Sequence, residues 1–446
     1  MTSPSTTIRR DRRGLTLIEI MIALTMTLIV LGAMMSAFQF ASQQMQTGRS
    51  IMEMANRLRS AEELMRSDLA NLTVDPRPYT ETTLPPGYFA LNESTDRDLS
   101  VPIDFVNSYQ GDIDDSLGMT VRSKGRPYRG RQKLLDQTAY TIVESPLAEV
   151  FWYTSFVDLQ AAAIPSIDFE DSLRVHRRVL LIRPDLTGPL VLNSLGDTQS
   201  TLANINDFIA TNDISVRVIQ VNATQYELWP NSLTDLAVRK NRFAHTPDGL
   251  TGNNFPNLLN LTTLLARTPA DGTSLLLTDV ASFDLKVYSP NSNVREFGTG
   301  ILAEPSDPGF SDANGDGIVN ATDAAIGTVS PIGAFVDLNH VGGGWFGAAL
   351  PKSQLTNTYD TWTPFYESDG INQDVVDDGA TPQIDEGTDG LDSVGGATSA
   401  PDDNAERETA PPYPFPIRGI KVTFRLVEKK TKQIHQASVT HSYVPE

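Results

Sequence analysis

From Ile20 to Gly48 the chain carries no charged residue, and Ile20 to Phe40 is almost wholly apolar. Such a run leaves few choices of fold. About 20 helical residues, rising ~1.5 Å each, cross the ~30 Å hydrocarbon layer of a bilayer. Inside that layer only a helix or a closed barrel satisfies its own backbone. Arg9, Arg10, Arg12 and Arg13 precede the run, against the single acid Asp11. Basic residues on the short side of a span stay cytoplasmic, so the rest of the chain is expected outside. Glu19, at the threshold of the apolar run, needs a separate reason. A carboxylate in a membrane segment costs several kcal/mol unless it is paired or reaches the interface.

Three readings compete for this N-terminus. A secretory signal would be cut after the apolar run, at Ala33-Met34-Met35-Ser36-Ala37, leaving a start near Phe38. An uncleaved signal anchor is the second reading. Neither explains Glu19. In the third, the segment Arg12-Arg13-Gly14-Leu15-Thr16-Leu17-Ile18-Glu19, running into the long apolar helix, resembles a prepilin leader. The resemblance implies that residues 1–14 are removed by a prepilin peptidase cutting between Gly14 and Leu15, and that the helix stays attached. Leu15, where the family more commonly has Phe, becomes a new N-terminus that is usually N-methylated. Glu19 becomes the fifth residue of the mature chain, and its carboxylate can neutralise the α-amino group of a neighbouring subunit's Leu15. Two unfavourable charges would then be satisfied together, favouring an axial stagger between subunits. The plainer alternative is that Glu19 snorkels to the lipid headgroups.

No proline occurs from Leu15 to Asp75, so one helix is expected over 15–75, transmembrane at about 20–40 and amphipathic beyond. Ile51, Met54, Ala55, Leu58, Ala61, Met65, Leu69 and Leu72 recur at three- and four-residue spacing, an apolar face for the protein's own sheet. Pro76 and Pro78 are expected to end the helix. The pattern then turns to short β-rich runs. Glu149 to Tyr153, Val175 to Ile182, Ile214 to Val221 and Gln225 to Trp229 read as strands, as do Phe283 to Tyr288, Ile420 to Leu426 and Ile434 to Val444. The fold class is α+β: a pilin-like body at 76–290 and 411–446, with a large acidic, loop-rich insertion at 291–410.

The helix end from Arg57 to Leu69, the Glu149-Val150 strand, Arg177-Arg178, the Val280 to Tyr288 strand and Pro416 to Val422 resemble, in scattered pieces, the J-type minor pseudopilin of type II secretion. That resemblance implies a subunit at the tip of a pseudopilus, beside I- and K-type partners, helping to start assembly. A type IV-like filament is the broader form of the same expectation. A membrane-tethered, calcium-dependent binding module that does not polymerise is the alternative.

The calcium expectation comes from the insertion. Of the formal charge of −20, residues 291–410 account for 21 Asp/Glu against three Lys/Arg. Acidity so concentrated points to cations as partners and offers no face for nucleic acid. Asp312, Asn314, Asp316, the Ile318 carbonyl, Asn320 and Asp323 fall at positions one, three, five, seven, nine and twelve of a calcium loop, with Gly317 at the sharp turn. Asp rather than Glu at the last position, and Ala324-Ala325-Ile326 after it, resemble a dockerin half-site. No second good loop is found, so only calcium binding is carried over. A solvated Asp/Asn/Gly turn is the competing reading. Asp369 to Asp374, Asp377-Asp378-Gly379, Asp385-Glu386-Gly387 and Asp389 to Asp392 resemble eroded Asp/Gly repeats, read equally as an acidic loop.

No catalytic set stands out, and no enzyme is expected. Without cysteine there is no disulfide, thiolate site or cysteine nucleophile. Gly342 to Gly347 contains G-x-G-x-x-G but lacks the flanking strand and helix of a dinucleotide site. His176, His245, His340, His435 and His441 are dispersed, and His176 reads as a sheet residue.

Overall fold

A computed structural model describes residues 16–77, 86–92, 115–156, 173–245, 259–290, 292, 294–297, 301–303, 328–330, 332–338, 358–361, 390–391, 407–408, 415–428 and 433–443. The chain forms two compact units, Met1–Asn56 and Arg57–Glu446. A single helix, α1 (Leu17–Ala70), contributes to both.

In the first unit α1 holds the uncharged run. Its large apolar side chains, among them Leu24, Ile29 and Phe38, are exposed. Threonine hydroxyls within the run are satisfied by the helix itself: Thr25 Oγ1 donates to the Met21 and Ile22 carbonyls at 3.0 and 2.9 Å, and Thr27 Oγ1 to the Ala23 carbonyl at 2.7 Å. Such back-bonding suits a helix surrounded by hydrocarbon, where no water completes a hydroxyl.

In the second unit the end of α1 buries Leu58, Ala61, Met65 and Leu69, four members of the face read from the spacing. The helix stops at Ala70, before the prolines. Asn71 Nδ2 donates to the Ser67 carbonyl at 2.8 Å, Leu72 bridges to Val121, and Thr73 N–H donates to the Thr120 carbonyl at 3.0 Å. Strand contacts, not Pro76, capture the chain.

Among the described residues the main sheet has nine strands: β1 (Phe89–Asn92), β2 (Ser116–Arg122), β3 (Leu147–Phe156), β4 (Leu173–Leu181), β5 (Leu275–Ser289), β6 (Ala334–Val336), β7 (Thr358–Asp360), β8 (Gly419–Val427) and β9 (Ile434–Ser442). Their order is β7-β1-β2-β3-β4-β5-β8-β9, with β6 also on β5, and every pairing is antiparallel. The sheet curls. Within β5, Asp279 takes a positive φ of 59° where the register shifts, and the strand changes from pairing with β4 to pairing with β8. A left-handed residue at a bulge bends a strand and raises its twist. At the ends of the curl the Phe89 ring lies 6.1 Å from that of Tyr443 and 6.5 Å from that of Tyr359.

Alternation along β3 divides the body into layers. Trp152 faces α1, while Phe151 and Tyr153 join a second core on the other face. There α2 (Leu202–Thr211) contributes Ile205, Phe208 and Ile209, and α3 (Leu261–Ala266) contributes Leu264. Strands Val216–Asn222 and Gln225–Pro230 add Val216, Tyr226 and Leu228.

The strands flanking residues 291–410 are neighbours: β5 and β8 pair from Val280↔Leu426 to Val287↔Ile420. The described parts of that segment are not all loop. Val294–Phe297, Ile301–Ala303 and Thr328–Ser330 form a small sheet, whereas β6 and β7 belong to the main one. Acidic composition hides this, because three-residue strands owe their stability to partners distant in sequence rather than to a local pattern.

Candidate functional site

The processing junction, Gly14 and Leu15, lies outside the described residues, which begin at Thr16. Glu19 is described, and its setting is specific. Its Oε2 accepts from Thr16 N–H and Thr16 Oγ1, each at 2.9 Å, while Thr16 Oγ1 accepts from Glu19 N–H at 3.3 Å. Thr16-Leu17-Ile18-Glu19 is thus a capping box that satisfies donors left over at a helix start. A negative carboxylate there also complements the positive end of the helix dipole. The T-x-x-E spacing is the local sequence signal of this cap, which the reading of Glu19 as a charge partner does not include. The box leaves Glu19 exposed, with acceptor capacity beyond Thr16.

At the other end of α1 a second acid is treated differently. Asp68 is only 1% exposed. Arg177 grips it through Nε at 2.8 Å and Nη2 at 2.6 Å, and Trp152 Nε1 donates at 2.9 Å. Burial alone would lower the Arg177 pKa, but the hydrogen bonds and charge of Asp68 hold it above its ordinary value. One residue along β4, Arg178 points to the opposite layer, where it pairs with Asp213 and donates to the Ile209 and Asn212 carbonyls at 3.0 and 2.7 Å. Adjacent arginines on a strand project to opposite faces, so this pair fastens both layers to one sheet.

A third polar cluster, unforeseen from the sequence, surrounds Glu149. Its Oε1 accepts from Tyr88 Oη and Phe243 N–H, both at 2.9 Å, and its Oε2 from Ser215 Oγ at 2.6 Å. Burial pushes the Glu149 pKa up, against the pull of those donors and of Arg242. Arg242 lies 4.0 Å from the Tyr88 ring centre and pairs with Asp360 of β7 at 2.5 Å. Nearby, His245 is held well below its usual pKa by burial and by the charges of Arg242 and Arg239. His245 Nδ1 and Asp360 Oδ1 make no hydrogen bond, and both residues line a cavity of about 20 Å³. That volume takes roughly one water. The cluster joins residues 88, 149, 242 and 360, a separation no local sequence pattern reports.

His176 lies on β4, as read. Its Nε2 is 2.7 Å from Ser155 Oγ, its Nδ1 3.3 Å from Ser274 Oγ, and its ring stacks on Tyr153 at 5.0 Å. Burial, helped by Arg174, lowers its pKa to about 4. A neutral imidazole tied between two hydroxyls belongs to the core. His340, Gly342 to Gly347 and the calcium-loop residues Asp312, Asn314, Asp316, Ile318, Asn320 and Asp323 lie outside the described residues. Among the described residues, no group of three or more His, Asp or Glu side chains could hold a metal.

Residues 9–35 match the prokaryotic N-terminal methylation motif. No curated protein and no solved structure matches the chain. The matched stretch spans Gly14, Leu15 and Glu19 and the first half of the apolar run, and it marks a pilin-like N-terminus of the kind that prepilin peptidase processes. With the exposed apolar helix, it marks a single-pass membrane anchor.

Proposed function

We propose that the chain is a structural subunit of a pilin-like filament. It enters the cytoplasmic membrane with residues 1–14 inside and the body outside, is cut between Gly14 and Leu15, and is extracted into the filament by its helix. The observation that carries this reading is the methylation-motif match at residues 9–35, on a helix whose apolar side chains from Leu17 to Phe40 are exposed. An uncovered helix surface of this kind is stable in lipid or among other such helices. Among the described residues Glu19 is hydrogen-bonded within its own first turn, and it retains acceptor capacity for a neighbour's α-amino group.

The finer assignment, to a J-type minor pseudopilin of type II secretion, rests on the resemblance of the helix end and sheet strands. It places the subunit with I- and K-type partners. In the same proposal Asp312, Asn314, Asp316, Ile318, Asn320 and Asp323 bind calcium, ordering a segment whose acids otherwise repel one another. Titrating the full chain in detergent with calcium, followed by heat and by protection from proteolysis, tests this part. No heat and unchanged cleavage would return the loop to an ordinary turn.

Sequencing the N-terminus of the protein recovered from membranes tests the main reading. A start at Leu15 supports it. A start near Phe38 indicates a conventional secreted protein, and an intact Met1 a tethered module that does not polymerise.

A further inference from the structure

One edge of the main sheet is closed by a strand of three residues. β7 lies within the segment 291–410 and, among the described residues, pairs with β1 alone: Ala90↔Asp360, Leu91↔Tyr359 and Asn92↔Thr358. A strand this short gains little from backbone pairing. Its side chains fasten it. Thr358 Oγ1 donates to Asn92 Oδ1 at 2.8 Å, and Tyr359 Oη reaches the Pro76 and Phe415 carbonyls, each at 2.9 Å. Asp360 adds a charged fastening, its pair with Arg242. Arg242 is aimed at it by the Leu236 and Ala237 carbonyls, which accept from Nε at 2.9 Å and Nη2 at 3.0 Å and leave Nη1 for the carboxylate.

Beside that pair lies His245. Its Nδ1 and Asp360 Oδ1 are buried without hydrogen bonds, and both residues line the same cavity of about 20 Å³, with Asn92, Ser116 and Thr358 among its other walls. Among the described side chains, the charged and titratable groups around it come from three sides. Arg239 and Arg242 belong to its own segment, Asp360 to β7, and Tyr88 stands just before β1, bonded to Glu149 of β3. A proton on His245 would set a third positive charge beside two guanidinium groups. One carboxylate, Asp360, cannot neutralise both Arg242 and an imidazolium. Burial and the two arginines accordingly hold the His245 pKa well below its ordinary value. Burial also pushes the Glu149 pKa up, so acid takes a negative charge out of the same cluster. When β7 lifts, the histidine meets water and regains an ordinary pKa of about 6.5. The lifted state then binds more protons than the closed one, and acid favours it.

We infer that β7 is an acid-released strap: the Arg242–Asp360 pair holds it on the sheet, and protonation of His245 lets it go, uncovering the edge of β1. All of these residues lie in the body, so the strap stands whether or not the chain is cut at Gly14 or enters a filament.

The experiment is hydrogen exchange of the full chain in detergent, read by mass spectrometry from about pH 7 to about pH 5 and corrected for the intrinsic pH dependence of amide exchange. In the wild type, the amides of 358–361 and 89–92 should exchange about tenfold faster at the acid end, since each pH unit below the open-state pKa favours opening by up to about tenfold. β5 and β8, paired from Val280↔Leu426 to Val287↔Ile420, should keep their protection throughout. His245→Gln, uncharged at every pH, should abolish the acceleration while Glu149 and Asp360 titrate as before. Asp360→Asn, which removes the counter-charge of Arg242, should leave 358–361 exchanging fast at pH 7 already. Wild-type exchange at 358–361 that does not quicken in acid would overturn the inference, whatever the variants do. So would equal acceleration in His245→Gln, unchanged protection in Asp360→Asn, or a loss of protection in acid that takes in β5 and β8, because the whole body would then be opening.

Discussion

Two carboxylates on one helix meet opposite fates. Asp68, near the end of α1, is 1% exposed and takes three hydrogen bonds from Trp152 and Arg177, all within the body. Glu19, at the start, is exposed and, among the described residues, bonded only to Thr16 of its own first turn. The apolar side chains around them follow suit: Met65 and Leu69 are fully buried, whereas Leu28 and Leu31 are exposed. One end of the helix is finished within the chain. The other carries apolar surface and a charge that lipid and neighbouring subunits are suited to meet.

The largest effect is expected at Asp68. Asp68→Ala leaves the Arg177 guanidinium buried without its counter-charge and Trp152 Nε1 without an acceptor, costing about 3–5 kcal/mol. Denaturant unfolding of the body, followed by tryptophan fluorescence, measures it. A loss below about 1 kcal/mol would show that this buried pair adds nothing beyond a surface ion pair. Next comes packing. Met65→Ala should cost about 2–5 kcal/mol by the cavity it opens. Leu28→Ala should leave the same transition within about 0.5 kcal/mol, as exposed substitutions do. Equal effects of the two would erase the contrast between the halves.

A smaller effect is set by pH. His176 has its folded pKa lowered from 6.5 to about 4, so the unfolded chain takes up a proton first as the solution is acidified. Stability should therefore fall as pH drops from 6.5 to 4, by up to roughly 3 kcal/mol from this group, and this contribution should level off below that. Glu149, raised by burial, contributes with the opposite sign. The difference between the wild-type and His176→Gln profiles isolates the histidine. Parallel profiles for the two proteins would contradict this assignment.

The helix was largely legible because both of its signals are local: an uncharged run, and apolar residues three and four apart. The alternation of Phe283 to Tyr288 and of Ile420 to Leu426 likewise located β5 and β8, whose pairing only the structure shows. β1 and β7 were not legible. Four residues of Phe89-Ala90-Leu91-Asn92 become a strand through partners at Ser116 to Met119 and Thr358 to Asp360, far along the chain. Nor could Arg177 and Arg178 be assigned separate partners, Asp68 and Asp213, before the layers on either side of β4 were known. At the N-terminus the prepilin-type stretch is a local signal, matched by the methylation motif at residues 9–35, and so is the Thr16-x-x-Glu19 spacing of a helix cap. Glu19 serves the Thr16 cap as well as carrying the charge proposed for a neighbour.

Those two roles of Glu19 separate experimentally. Glu19→Gln keeps a side-chain acceptor for Thr16, since Gln also serves in a capping box, but removes the charge. Glu19→Ala removes both. The most direct measurement compares membrane insertion and incorporation into filaments for the wild type and these two variants. The account predicts normal insertion and an unchanged body for both, with incorporation lost in both because the partner's α-amino group finds no counter-charge. Normal incorporation of Glu19→Gln, with loss only in Glu19→Ala, would contradict it and leave Glu19 as a helix cap alone.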